Sequence, residues 1–148
     1  MTNRWDIEFY EDENGREPCR DWIDKLGNVE REAILTATEL VLAERGTDVC
    51  QTEFGKNLGK GLYEFRLRWT AAEVRSKIAR VSDAAAEKSG KILLRVFFCT
   101  SGNKLILLLN GYDKARAPTD KRQQTEIAKA RKLLTAHREK LKRDRKHA

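Results

Sequence analysis

The sequence is poor in the residues that staple a chain or ligate metals. Its 148 residues include three cysteines, two histidines, two prolines and one methionine. Cys19, Cys50 and Cys99 sit far apart, are odd in number and form no CxxC pair. That argues against a disulfide framework or a zinc site. Reduced thiols in the cytoplasm are the simplest reading. Glu11, Asp12 and Glu13 form an acidic run, but it falls in a turn with no second ligand cluster, so it reads as surface charge. No metal or other cofactor is expected. No apolar run approaches the ~20 residues that cross a bilayer. The N-terminal stretch MTNRWDIEFYEDENG shows no basic region followed by an apolar one, so no signal peptide is expected. No repeat and no Pro- or Ser-rich linker marks a second domain. Residues 1–148 therefore read as one domain, long enough to bury its own core.

What the sequence does have is charge. Charged residues make up 36% and hydrophobic ones 40%, a balance typical of a soluble globular chain rather than a disordered one. Thirty Lys and Arg face twenty-three Asp and Glu, a net charge of +7. That excess favours a polyanionic partner: nucleic acid, a ribosome or an acidic protein. The last twenty residues hold nine Lys and Arg against two acids, so a basic tail occupies about 137–148.

Hydrophobic spacing predicts an α+β domain. Residues 4–10 alternate, with Trp5, Ile7 and Phe9 on one side, as a half-buried strand does. A turn at 12–15 precedes a short helix opened by Pro18, with Cys19, Trp22, Ile23 and Leu26 on one face and Gly27 closing it. A longer helix follows over about 29–45, with Ile34, Leu35, Thr38, Val41 and Leu42 as its stripe and Gly46 as its stop. Residues 62–69 alternate again: Tyr63, Phe65, Leu67 and Trp69 against Leu62, Glu64, Arg66 and Arg68. Residues 91–99 read as a central strand with Arg95 in its middle, and Gly102-Asn103 turns the chain into an antiparallel partner. Residues 70–90 interrupt this hairpin order as a helical or partly mobile insert, with Val74, Ile78, Val81 and Ala85 able to align on a helix. Thr119 can cap a long last helix whose stripe is Ile127, Ala130, Leu134, His137 and Leu141. The order predicts a mostly antiparallel sheet with the helices to one side. The last strand, LLLNGY, breaks at Asn110 and Gly111, where glycine lets the strand turn out, and runs into Tyr112, Asp113, Lys114 and Arg116. Such a cluster is either a polar loop or the rim of a site.

Three ordered stretches carry a resemblance: LGKGLYEFRLR at 58–68, LLRVFFC at 93–99, and LLLNGYDKARAPTDKRQQTEIAKARKLL at 107–134. Together they resemble the phage-derived, HigB-like branch of the RelE/ParE toxin superfamily, over roughly residues 5–135. The resemblance implies a curved antiparallel sheet with two N-terminal helices and a long C-terminal helix. It implies the toxin of a type II toxin–antitoxin pair that cleaves mRNA on the ribosome without metal. Its implied partners are the ribosome with its mRNA and a small helix-turn-helix antitoxin, in a toxin–antitoxin hetero-oligomer. Some relatives inhibit gyrase instead, so a non-enzymatic inhibitor and a basic phage-derived binding module stay open.

Metal-free RNA cleavage needs a base for the 2′-OH, cations for the extra charge on the phosphate, and an acid for the leaving 5′-oxygen. Arg66 and Arg95 suit the phosphate, since a guanidinium fork makes two charge-assisted bonds at once. Lys114 is a third cation at the strand exit. Tyr112 and Asp113 are the candidates for proton transfer and positioning. Lys60, Glu64, Arg68 and Arg116 are candidate RNA contacts. Each has a structural alternative: a solvated strand face for Arg66 and Arg68, an ion pair with Glu64 for Arg95, a turn for Lys60, and a turn or helix cap for Asp113. Superfamily members often carry a histidine near the strand end. This chain has only His137, on the apolar stripe of the last helix, and His147 in the tail. The tail itself reads as an electrostatic arm for rRNA or as a fraying helix end.

Overall fold

The computed structural model describes residues 4–147. In chain order the elements are β1 (Asp6–Phe9), α1 (Pro18–Asp24), α2 (Asn28–Ala37), a π-helical turn (Thr38–Leu42), α3 (Ala43–Arg45) and a 3₁₀ segment (Gly46–Gln51). Then come β2 (Gly55–Gly59), β3 (Leu62–Trp69), α4 (Ala71–Lys77), α5 (Asp83–Ser89), β4 (Ile92–Ser101), β5 (Leu105–Asp113) and α6 (Asp120–Lys146). One five-stranded sheet runs in the order β1-β5-β4-β3-β2. All its pairings are antiparallel except β1 with β5. The fold is α+β, as the spacing predicts, with a mixed sheet.

Alternation along the strands divides the core in two. Phe65, Leu67 and Trp69 of β3, with Leu94, Val96 and Phe98 of β4, pack under α1, α2, α4 and α5. On the other face Leu62, Phe97, Cys99, Leu107 and Leu109 meet Ala130 and Leu134 of α6. The expectation that all helices lie to one side is therefore corrected. The second face is itself apolar at this end, and α6 is the element that takes it out of water. Burial pushes the Cys99 thiol up to about 11 and also raises Cys19, so both behave as neutral core groups. Among the described residues no helix is long and apolar enough to cross a membrane.

Several local departures from the sequence pattern have clear causes. The helical body after Gly27 contains the π-turn, which adds a residue to one turn and rotates the stripe. Leu35 is therefore exposed, while Ala33, Ile34 and Ala37 are buried. Gly46 ends this body at φ +58° with the Trp5 ring against it, a close approach that no side chain would allow. Residues 70–90 form two short helices rather than one. Thr70 makes a capping box with Glu73, Ser82 caps α5, and Ile78 between them is extended. Val74, Ile78, Val81 and Ala86 are buried in the main core, so the segment is docked on it; Ala86, not Ala85, is the buried alanine. Strand β2, GKNLG, has no strand-like sequence and was not expected. It forms because the edge of β3 supplies its ladder partners, with Lys56 opposite Glu64.

Candidate functional site

Strand register builds the site. Arg66 of β3 lies opposite Arg95 of β4, and Arg95 lies opposite Tyr112 of β5, so the three form one row across the sheet. A one-residue bulge in β5 puts Tyr112 in that row. Phe98 pairs with Leu108 but Phe97 pairs with Asn110, which leaves Leu109 as the extra residue. Before the bulge Leu107 and Leu109 face α6. After it the phase flips, and Asn110 and Tyr112 take that face.

The same flip sends Asp113 to the opposite face. It pairs with Leu94 of the main core, and its Oδ1 accepts from the Ala115 and Arg116 N–H groups at 3.0 and 3.3 Å. Arg116 Nε sits 3.5 Å from Asp113 Oδ2. Asp113 thus closes the turn after β5. The expectation that it joins Tyr112 in proton transfer is corrected: Asp113 and Arg116 lie away from the row. Gly111 is corrected as well. It stays in the ladder opposite Val96, and its reason is space: a Cβ there would fall 2.4 Å from the Trp22 ring and 2.8 Å from the Arg95 carbonyl oxygen.

Glu64 shares a face with the row and is fully buried, at 0% exposure. Arg66 Nε–H donates to its Oε1 at 2.6 Å. The expected partner, Arg95, makes no such bond, although Glu64 still acts on it electrostatically. Burial pulls the Arg95 guanidinium down, opposed by Glu64. Burial raises the Tyr112 phenol above its usual range, reinforced by Glu64 and opposed by Arg95. The hydroxyl is therefore held protonated, a donor rather than a base. Its ring lies parallel to Phe97, with centroids 6.2 Å apart. Lys114 is anchored where its N–H donates to the Leu93 carbonyl at 2.9 Å. Burial pulls its ammonium down first, then Arg95 and Arg66. Arg68, opposite Leu93, extends the cationic face outward and is exposed. Lys60 lies elsewhere, in the β2–β3 turn at φ +55°, with its carbonyl accepting from Arg138 Nη2 at 2.8 Å.

Two residues that the sequence reading missed brace this face. Asn110 Nδ2 donates to the Glu126 backbone oxygen at 3.2 Å and to Glu126 Oε2 at 3.3 Å, tying α6 to β5. Glu126 also accepts from Arg122 Nε at 3.1 Å. The available signal was an acid four residues ahead of Ala130, in line with the apolar stripe. Lys56 was missed together with β2.

Among the described residues, five buried side-chain polar atoms lack a hydrogen-bond partner. Four of them, Glu64 Oε2, Arg95 Nε, Asn110 Oδ1 and Tyr112 OH, lie on this one face of β3–β5. Buried polar atoms are seldom left alone, so their concentration singles out this face as the candidate site. Arg66 and Arg95 against Glu64 give the cluster a net charge of about +1, and protonated Lys114 adds one more, which suits phosphate. Among the described residues no group of three His, Cys, Asp or Glu could hold a metal ion. Compared with known proteins, the chain matches no family model and no curated protein.

Proposed function

We propose that this chain is a toxin of the RelE/ParE type that cleaves mRNA on the ribosome, acts in the cytoplasm and is neutralised by a helix-turn-helix antitoxin. The observation that carries the reading is the Arg66–Arg95–Tyr112 row with Lys114 beside it, in which Arg95 Nε and Tyr112 OH are buried without hydrogen-bond partners. Arg66 and Arg95 hold the non-bridging oxygens of the scissile phosphate. Lys114, made easier to deprotonate by burial and by the two arginines, accepts the 2′-OH proton. The 2′-oxygen bonds to phosphorus and the bond to the 5′-oxygen breaks. Tyr112, held protonated, donates its proton to that leaving oxygen. Glu64 fixes Arg66 and limits the repulsion between the two guanidiniums.

The test is induced expression in a bacterial host with transcript 5′ ends mapped within minutes. New ends inside translated frames are expected from the wild-type chain. Arg66→Ala or Arg95→Ala should lower their yield by about 10²–10³, the usual cost of removing one group that stabilises the transition-state charge. A second reading is a non-enzymatic inhibitor of a protein such as gyrase. It is favoured by the row's lack of a histidine or a free carboxylate, since Glu64 is engaged by Arg66. Growth arrest with inhibited supercoiling and no new RNA ends selects it.

A further inference from the structure

The positive charge of the chain is concentrated in one element. Helix α6 holds eleven Lys and Arg against four Asp and Glu, a net +7. The other residues hold nineteen of each, so the whole excess of +7 sits on this one helix. Its ion pairs involve Arg122 and Lys129 with Glu126, and Arg143 with Glu13. Lys142 and Arg145 take part in none of them.

The outer half of α6 also borders a cleft. It has a volume of about 600 Å³ and lies between the helix and the β4–β5 turn, lined by Thr100, Ser101, His137, Arg138, Lys142 and Arg145, with Glu139 as its single acid. His137 Nε2 is buried without a hydrogen-bond partner, and its ring meets Tyr10 edge-on. Among the described residues no Phe, Trp or Tyr lines the cleft. Among the described residues the two exposed large hydrophobics, Leu35 and Leu40, lie on α2 and the π-turn instead. Protein interfaces favour aromatics and disfavour lysine, whereas guanidinium, ammonium and hydroxyl donors are the usual contacts of a nucleic-acid backbone. Glu126, which braces the row's face, and Lys142 are sixteen residues apart on one helix, about 24 Å at the helical rise.

We propose that the outer half of α6 is a docking surface for the phosphate backbone of a folded RNA, separate from the Arg66–Arg95–Tyr112 row and joined to it through a single helix. This inference rests on the RNA-directed reading above, but it needs no cleavage step. It also places Lys60, whose turn is tied to Arg138, at the rim of the docking surface rather than at the row.

The experiment is fluorescence anisotropy of a labelled RNA hairpin with the full chain, titrated between about 50 and 200 mM salt. The Lys142→Ala/Arg145→Ala variant should bind more weakly. Its slope of log affinity against log salt should be shallower by about 2, one unit for each lost phosphate contact. The Lys25→Ala variant, an exposed cation at the end of α1 on the opposite face of the sheet, should keep the wild-type slope. Thermal melts of both variants are compared with wild type to confirm folding. The proposal is overturned if the α6 variant keeps the wild-type affinity and slope, if Lys25→Ala weakens binding as much as the α6 variant, or if the wild-type chain binds none at low salt. If the α6 variant loses the hairpin while wild-type chain leaves translated mRNA intact, the docking surface stands and the cleavage reading falls.

Discussion

Glu64→Gln isolates the charge balance of the row. The substitution keeps the shape of the side chain and an oxygen for the Arg66 Nε–H, but removes the carboxylate that faces Arg66, Arg95 and Lys114. Arg66 and Arg95 are direct cross-strand neighbours, and like charges in that position destabilise a sheet. Arg95 is only 4% exposed, so water cannot replace the lost anion. Removing one partner of a buried pair costs about 3–5 kcal/mol. The retained acceptor and the 28% exposure of the Arg66 side chain argue for the lower end, about 3 kcal/mol. In a chain of this size each kcal/mol moves Tm by about 2–4 °C, so the melt should fall by roughly 6–12 °C. Urea unfolding with an unchanged m value measures the loss directly. Glu64→Gln/Arg95→Met removes the stranded cation too, and should lose less than the two single variants added together, by about 1 kcal/mol or more. A single variant within about 0.5 kcal/mol of wild type, or strictly additive losses, would refute the reasoning.

Two further variants test the site's architecture. Tyr112→Phe removes a buried hydroxyl that has no partner, so urea unfolding should change by less than about 1 kcal/mol while cleavage falls by about 10²–10⁴. In wild type the rate should rise with pH as Lys114 loses its proton, below its usual range, and fall only at the higher pH where Tyr112, above its usual range, ionises; a profile flat across alkaline pH contradicts the assigned roles. Gly111→Ala forces a methyl against the Trp22 ring and the Arg95 carbonyl, and should cost about 1–3 kcal/mol in the same unfolding assay. A neutral result there means that α1 shifts freely over β5.

The sequence by itself determined most of the elements. Alternation in LYEFRLRW marked β3 at Leu62–Trp69, and the apolar run through Arg95 marked β4. Thr119 was readable as the cap of α6, and its side chain accepts from the Arg122 N–H at 3.1 Å. These signals are local: a period of two or of 3.6 residues, or a hydroxyl one residue ahead of a helix. Strand β2 was not readable, because its ladder depends on β3 and not on its own residues. The face chosen by α6 was not readable either, since only the assembled sheet shows that Leu62, Phe97 and Leu107 share an uncovered surface. The composition of the site turned on the bulge at Leu109. Tyr112 and Asp113 are adjacent in sequence and equally plausible as site residues, and one extra residue in the ladder sends Tyr112 to the arginines and Asp113 to the turn. A bulge arises from cross-strand fit, so tertiary structure alone decided which of the two could act.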